Sequence, residues 1–165
     1  MEPMNFCPDC GLGVEARIIE GKSRAFCVRC DRTHYRQPIV GAGGLIEIDG
    51  RLLLILRKND PFVGCWGLPA GYVDEDEPPA SAVRREVSEE TGLDVRVSRL
   101  VDAYFFDDHP RGSGIFLVYR CEVIGGELVE TEESATPTFF ARDRMPEKLA
   151  GSGHSLAVQA WSNGA

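Results

Sequence analysis

Long apolar runs are missing from this chain. No stretch approaches the roughly 18 apolar residues that a spanning helix needs, so no membrane partner is expected. The opening MEPMNFCPDC has neither the basic nor the apolar region of a secretory signal, and a cytoplasmic location is the expectation. A basic excess is missing too. Lys and Arg number 18 against 26 Asp and Glu, a formal charge of −8. A general nucleic-acid binder would want the opposite sign, so no nucleic-acid partner is expected. Internal repeats and low-complexity tracts are absent as well. What remains is an apolar fraction of 43%, ordinary for a packed core. The length suits one main domain with room for a small appendage.

Cysteine is the first residue type that is present with a pattern. Cys7-Pro-Asp-Cys10 and Cys27-Val-Arg-Cys30 are two C-x2-C knuckles with 16 residues between them. That spacing fits a four-cysteine zinc site. Four thiolates around one Zn2+ make a closed structural centre with no position for water. So short a segment has too little apolar surface to fold alone, and the metal would supply its stability. Two disulfides or a redox pair are the competing readings. A reducing compartment disfavours the first and the paired double knuckle the second. Cys65 and Cys121 read as buried thiols, and His34 as a surface or interdomain residue.

The chain is organised around Gly71 to Leu93, GYVDEDEPPASAVRREVSEETGL. Pro78 and Pro79 suit the first turn of a helix, Ala80 to Thr91 read as helix, and Gly92 is a natural stop. Glu86, Glu89 and Glu90 stand at i, i+3 and i+4, so their carboxylates share one face. Ala80, Val83 and Val87 form an apolar stripe beside them. Three crowded carboxylates repel one another, and Mg2+ or Mn2+, which prefer carboxylate oxygens, would resolve the conflict. RREVSEE alone could equally be a solvated face with Arg–Glu pairs. The framing glycines, Glu77 and the preceding LPAG favour the cation site.

Flanking segments read mostly as strands. Ile39 to Ile48 and Arg51 to Arg57 are joined by Asp49-Gly50, a strong two-residue hairpin signal. A loop over 59–64 leads into a short strand at Trp66. Asp94 to Phe106 and Ile115 to Val123 read as strands around a loop over 107–114, and Pro137 to Ala141 as another. Short helices are expected over 143–149 and 154–161. The domain boundary is placed near residue 36, giving 1–35 and 36–165.

The motif, with Gly71, Glu77, Arg85, Glu86, Val87, Glu89, Glu90, Gly92 and Leu93 in their slots, resembles that of the Nudix hydrolases without departure. The resemblance implies an α/β/α sandwich with a mixed sheet, here preceded by a small zinc ribbon. It also implies hydrolysis of a nucleoside diphosphate linked to another group, a small-molecule nucleotide substrate, with magnesium or manganese. A ribbon N-terminal to such a domain is similar to two branches: NADH pyrophosphatases, and enzymes acting on FAD and ADP-ribose. The short ribbon-to-domain spacing and the HYRQP junction resemble the second. NADH pyrophosphatases carry SQPWPFPxS after the motif, whereas this chain has DAYFFDDHP over 102–110. Pro110 stands near where ADP-ribose hydrolases tend to carry a proline. ADP-ribose or FAD is the expected substrate, with NAD(H), or a non-catalytic nucleotide sensor, as alternatives.

Carried over by position, the resemblance makes Glu86 and Glu90 inner-sphere metal ligands. Glu89 becomes a further ligand, and the carbonyl of Ala70 or Gly71 joins them. Arg85 would pair with Glu77 and hold the carboxylates. The general base comes from the motif in some branches and from the loop before the last strand in others. There relatives tend to read E-S-x-E. Glu133 keeps the first acid and Thr136 replaces the second, so Glu133 is chosen, with Glu132 next. Tyr104, Phe105, Phe106, Phe139 and Phe140 are candidates for stacking on a base. Only some of each set can face one pocket; Tyr104, Phe106 and Phe140 are chosen. Arg36, Arg57 and Arg111 could meet phosphates, Arg57 foremost. A homodimer is the default assembly.

Overall fold

The computed structural model describes residues 4–132 and 134–164. The chain divides into two compact units, one ending at Gln37 and the other beginning at Pro38. Among the described residues, no helix is long and apolar enough to cross a membrane.

In the first unit, β1 (Glu15–Ile19), β2 (Lys22–Cys27) and β3 (Arg32–His34) form an antiparallel sheet in that order. Glu20 and Gly21 both take positive φ, 53° and 75°, the backbone that a tight hairpin turn requires. Cys7, Phe26 and Cys27 are its buried apolar side chains among the described residues. That is far too small a core to hold a fold by itself.

The second unit is built on β4 (Ile39–Ile48) and β5 (Arg51–Arg57), joined by Asp49 and Gly50 at φ 50° and 70°. The two-residue turn expected at Asp49-Gly50 is present. There follow β6 (Trp66–Gly67), β7 (Ala70–Tyr72), α1 (Pro79–Thr91), β8 (Leu93–Phe106), β9 (Gly114–Gly126), β10 (Ser134–Ala141) and α2 (Gly151–Ser162). The sheet runs β10-β5-β4-β9-β8, with β6 added on β5 and β7 on β4. Among the strand pairs of the described residues β4–β9 is parallel and the others are antiparallel, so the sheet is mixed.

Both faces of the sheet are covered, which is why β5 reads as a continuous LLLIL rather than an alternation. Ala42, Ile46, Leu53, Val83, Val87 and Cys121 pack together on the α1 side. Leu45, Leu52, Leu54, Phe116, Val118, Val158 and Trp161 pack together on the α2 side. The architecture is therefore an α/β/α sandwich. Truncating one of these leucines to alanine would cost about 2–5 kcal/mol.

One expected helix is not there. Residues 143–149 are turn and irregular backbone. Pro146 disfavours helical backbone at Met145. The neighbouring backbone is also committed elsewhere: Trp66 N–H donates to the Lys148 carbonyl (2.8 Å) and Ala150 N–H to that of Trp66 (2.8 Å). The helix expected over 154–161 begins earlier, at Gly151. Likewise β10 begins at Ser134 rather than at Pro137, with a register shift between Ala135 and Thr138 where Thr136 takes φ 48°.

Candidate active site and cysteine centre

The motif folds as a strand, a loop and a helix whose ends are set by local chemistry. Pro78 caps α1 in extended backbone and Pro79 opens it, where a missing N–H costs nothing. Gly92 closes it at φ 75°, its N–H donating to the Ser88 carbonyl. Along α1, Ala82, Val83 and Val87 are buried against the sheet. The same side of the helix buries two acids, leaving Glu86 8% and Glu90 4% exposed.

Strand β7 meets those acids with its backbone. Ala70 N–H donates to Glu90 Oε2 at 2.7 Å. Gly71 lies so close to the Glu86 carboxylate that a Cβ there would overlap it, so the slot demands glycine. The Glu90 carbonyl accepts from the buried Ser134 hydroxyl, tying the end of α1 to β10.

Arg85 occupies the middle of the acidic face. Its Nε and Nη2 donate to the two Glu77 oxygens at 3.2 and 2.9 Å, a bidentate pair. Nη1 donates to Glu86 (2.6 Å) and Glu89 (3.3 Å), and Nη2 also to the Tyr72 carbonyl (3.1 Å). The Arg85 hydrogen bonds hold the Glu77 carboxyl below its usual pKa and raise that of the guanidinium. With Arg85 among them, no three motif carboxylates gather their oxygens within 4.8 Å, among the described residues. Glu89 is about half exposed.

A cavity of about 670 Å3 opens over this face. Ala70, Gly71, Glu86 and Glu90 line it on one side, and Arg57, Phe106 and Arg111 elsewhere. Two buried carboxylates backed by a bare backbone strand are a donor set that fits a hard divalent cation. Glu77 and Glu89 are not lining residues, and neither are Tyr104 and Phe140. Those two aromatics pack on the apolar core instead, Phe140 edge-on to Trp66 at 4.8 Å. Phe139 packs on the opposite face of the sheet, Phe105 is exposed, and Arg36 belongs to the first unit. Of the candidates for base, Glu132 is exposed and Glu133 lies outside the described residues.

Several lining residues carried no signal in the sequence. Phe62, Tyr72, His109 and His154 all face the cavity. His154 accepts the Leu68 N–H on Nδ1 (3.2 Å) and packs against Phe116, ring centroids 4.5 Å apart. Burial, with the Arg57 charge adding, pushes its pKa down to about 3, so it is neutral. Tyr72 follows the first motif glycine directly, the one clue that could have flagged it.

In the first unit the sulfurs of Cys7, Cys10, Cys27 and Cys30 lie within 4.8 Å of one another. Cys10 and Cys27 are 3.6 Å apart at sulfur. Gly11 and Asp31, directly after each knuckle, take φ 72° and 50° and turn the chain back. The cluster fits one tetrahedral zinc. His34, expected as a surface or interdomain residue, is half-buried. Its ring lies within the same reach of Cys7 and Asp9.

Comparison with known proteins agrees with this geometry. Residues 35–158 match the NUDIX domain family, and residues 5–36 the zinc-ribbon family described as Nudix N-terminal. An ADP-ribose pyrophosphatase of Methanocaldococcus jannaschii is 41% identical over 79% of this chain and 78% of its own length. The NAD-capped RNA hydrolase NudC of Stutzerimonas stutzeri is 29% identical over 86% of this chain, which spans about half (49%) of that protein. A crystal structure of a NUDIX hydrolase from Nitrosomonas europaea superposes with a TM-score of 0.81 at 28% identity, covering 97% of this chain and 91% of that one. The chain belongs to the Nudix hydrolase family and is a pyrophosphohydrolase of nucleotide substrates with a zinc-ribbon segment at its N-terminal side.

Proposed function

We propose that this protein cleaves the pyrophosphate bond of ADP-ribose, with magnesium or manganese. The observation that carries the reading is the burial of Glu86 and Glu90 against the bare backbone of Ala70 and Gly71 at the floor of a nucleotide-sized cavity. Similarity to the Methanocaldococcus jannaschii ADP-ribose pyrophosphatase supports the substrate. FAD, which shares the ADP half, is the second candidate.

Glu86 and Glu90 would hold the cation, with the carbonyl of Ala70 or Gly71 and with Glu89 as a further ligand. When bound, the cation neutralises pyrophosphate oxygens and lowers the pKa of a water molecule. Arg85 and Glu77 hold the carboxylates in place. Arg57 and Arg111 supply positive charge to the phosphates. Hydrolysis adds the water oxygen to one phosphorus while the bond from that phosphorus to the bridging oxygen breaks, releasing AMP and ribose 5-phosphate. The water proton passes to a glutamate, for which we assign Glu133, with Glu132 next. The protein need form no covalent intermediate, because positioning and charge do the chemistry. Cys7, Cys10, Cys27 and Cys30 hold structural zinc in a ribbon over residues 1–35, and residues 36–165 form the hydrolase domain.

A panel of ADP-ribose, FAD, NADH, diadenosine polyphosphates and nucleoside triphosphates, each with magnesium or manganese, tests the reading through released AMP and phosphate. ADP-ribose should give the highest kcat/KM. A clear preference for NADH would replace this reading with the NAD(H) alternative. Tight binding of one compound with no turnover of any would leave a sensor.

A further inference from the structure

The loop between β8 and β9 carries a hydrogen-bond chain that the hydrolytic step does not use. The His109 carbonyl accepts the Gly112 N–H at 2.9 Å, and His109 Nδ1 accepts the Arg111 N–H at 3.1 Å. A ring nitrogen that accepts a backbone N–H carries no proton, so the neutral imidazole is the Nε2–H tautomer. Burial first, then the Arg111 and Arg57 charges, hold its pKa below the usual histidine value, consistent with a neutral ring.

His109 Nε2 lies 2.9 Å from the Tyr72 hydroxyl oxygen. With the proton on Nε2, the imidazole donates and the phenol oxygen accepts. The Tyr72 hydroxyl hydrogen is then free to turn away from the histidine. Among the described residues, no acceptor takes it. Tyr72 is 37% exposed, and both residues line the cavity.

The surroundings say what that hydrogen would meet. Tyr72, Phe106 and Phe62 stand around His109 with ring centroids 5.9, 6.3 and 6.5 Å away. The Arg111 guanidinium lies over the Tyr72 ring at 5.2 Å. A wall of ring edges and faces suits a planar aromatic group better than a sugar. Tyr72 also follows Gly71 directly, and its carbonyl accepts from Arg85. One residue thus joins the acidic face to the aromatic wall.

We propose that Tyr72 is a specificity-determining residue that donates its hydroxyl to an acceptor on the substrate's nucleobase, and that His109 is a positioning residue that fixes the direction of that donation. This rests on the reading of the cavity as a nucleoside-diphosphate site.

The test is calorimetric binding of AMP and of ribose 5-phosphate to the full zinc-loaded chain with magnesium, beside steady-state kinetics on ADP-ribose. Tyr72→Phe should weaken AMP binding about three- to tenfold, as loss of one hydrogen bond does, and leave ribose 5-phosphate unchanged. KM for ADP-ribose should rise with it while kcat stays within about twofold. His109→Asn retains a side-chain acceptor for the Arg111 N–H but cannot reach the phenol. It should weaken AMP several-fold in the wild-type background and much less in the Tyr72→Phe background, a coupling that a merely structural role would not produce. The proposal is overturned by a Tyr72→Phe protein that binds AMP like the wild type. Equal loss of ribose 5-phosphate, equal His109→Asn effects in both backgrounds, or a wild type that does not bind AMP would overturn it too. Should His109→Asn not fold, the Tyr72→Phe result decides. A protein that shows these AMP dependences yet hydrolyses nothing in the panel would refute the ADP-ribose reading and support this assignment.

Discussion

The Ala70 N–H points at Glu90 Oε2 across 2.7 Å, although the two residues lie 20 positions apart. That bond fixes one carboxylate oxygen of a nearly buried acid against the strand that precedes the helix. It explains how an acid can stay ordered beneath a cavity, and it separates charge from shape in the first prediction.

Glu90→Gln keeps a carbonyl oxygen for the Ala70 N–H and removes the charge. Turnover should fall by at least about a hundredfold, while circular dichroism and the melting temperature stay close to wild type. Unchanged rates would refute the assignment of Glu90 as a cation ligand.

Gly71→Ala acts through space instead. The added methyl would overlap the Glu86 carboxylate, so either the strand or the acid must move. Overpacking of this kind costs about 1–3 kcal/mol, and displacement of Glu86 should weaken cation binding as well. Denaturant unfolding and a magnesium titration of activity should both shift. A variant that matches wild type in both would show that the slot has room.

Acid should destabilise the protein through His154. Its pKa is about 3 in the folded chain against 6.5 for the free side chain. Above 6.5 both states are neutral and nothing is lost. Below it the unfolded chain takes up the proton that the native state refuses. Stability therefore falls as pH drops from about 6.5 toward 3, by up to about 1.4 kcal/mol per unit. Glu47, held below its usual pKa by the Trp161 indole and then by Arg120, adds a loss in the same direction at lower pH. Urea midpoints at pH 7.5 and 5.0 check this: a His154→Gln protein should lose less between them than wild type does.

Metal analysis should find about one zinc per chain. Cys27→Ser should release it and melt the small antiparallel sheet, because Cys7, Phe26 and Cys27 are all the apolar core described there. Amide exchange over residues 4–37 would report the loss. Zinc retained by Cys27→Ser as tightly as by the wild type would exclude the four-cysteine centre.

What could be read in advance was local. The helix of the motif, its proline start and its glycine stop depend on neighbours within a few residues, so Glu86 and Glu90 were legible as a pair on one face. The cavity wall was not, because it depends on pairings between distant strands. Tyr104 and Phe140 were as plausible as Phe106: all three pack on the same apolar core, and of the three Phe106 also lines the cavity. Phe62, Tyr72 and His109 come from three separate segments and share no spacing. The segment over 143–149 misled for a related reason: its backbone is spent on Trp66, which pairs with Lys148 across 82 positions.

The β8–β9 connection is clamped where it enters and leaves the sheet. Phe106 faces Gly114 in the antiparallel ladder, and Ile39 N–H holds the Ser113 carbonyl at 3.1 Å. Its tip is also pinned to α2, where the Ser152 N–H and hydroxyl both donate to Asp108, at 2.6 and 2.9 Å. A rearrangement of residues 107–113 would therefore be felt at the start of α2 as well as at the Tyr72–His109 contact.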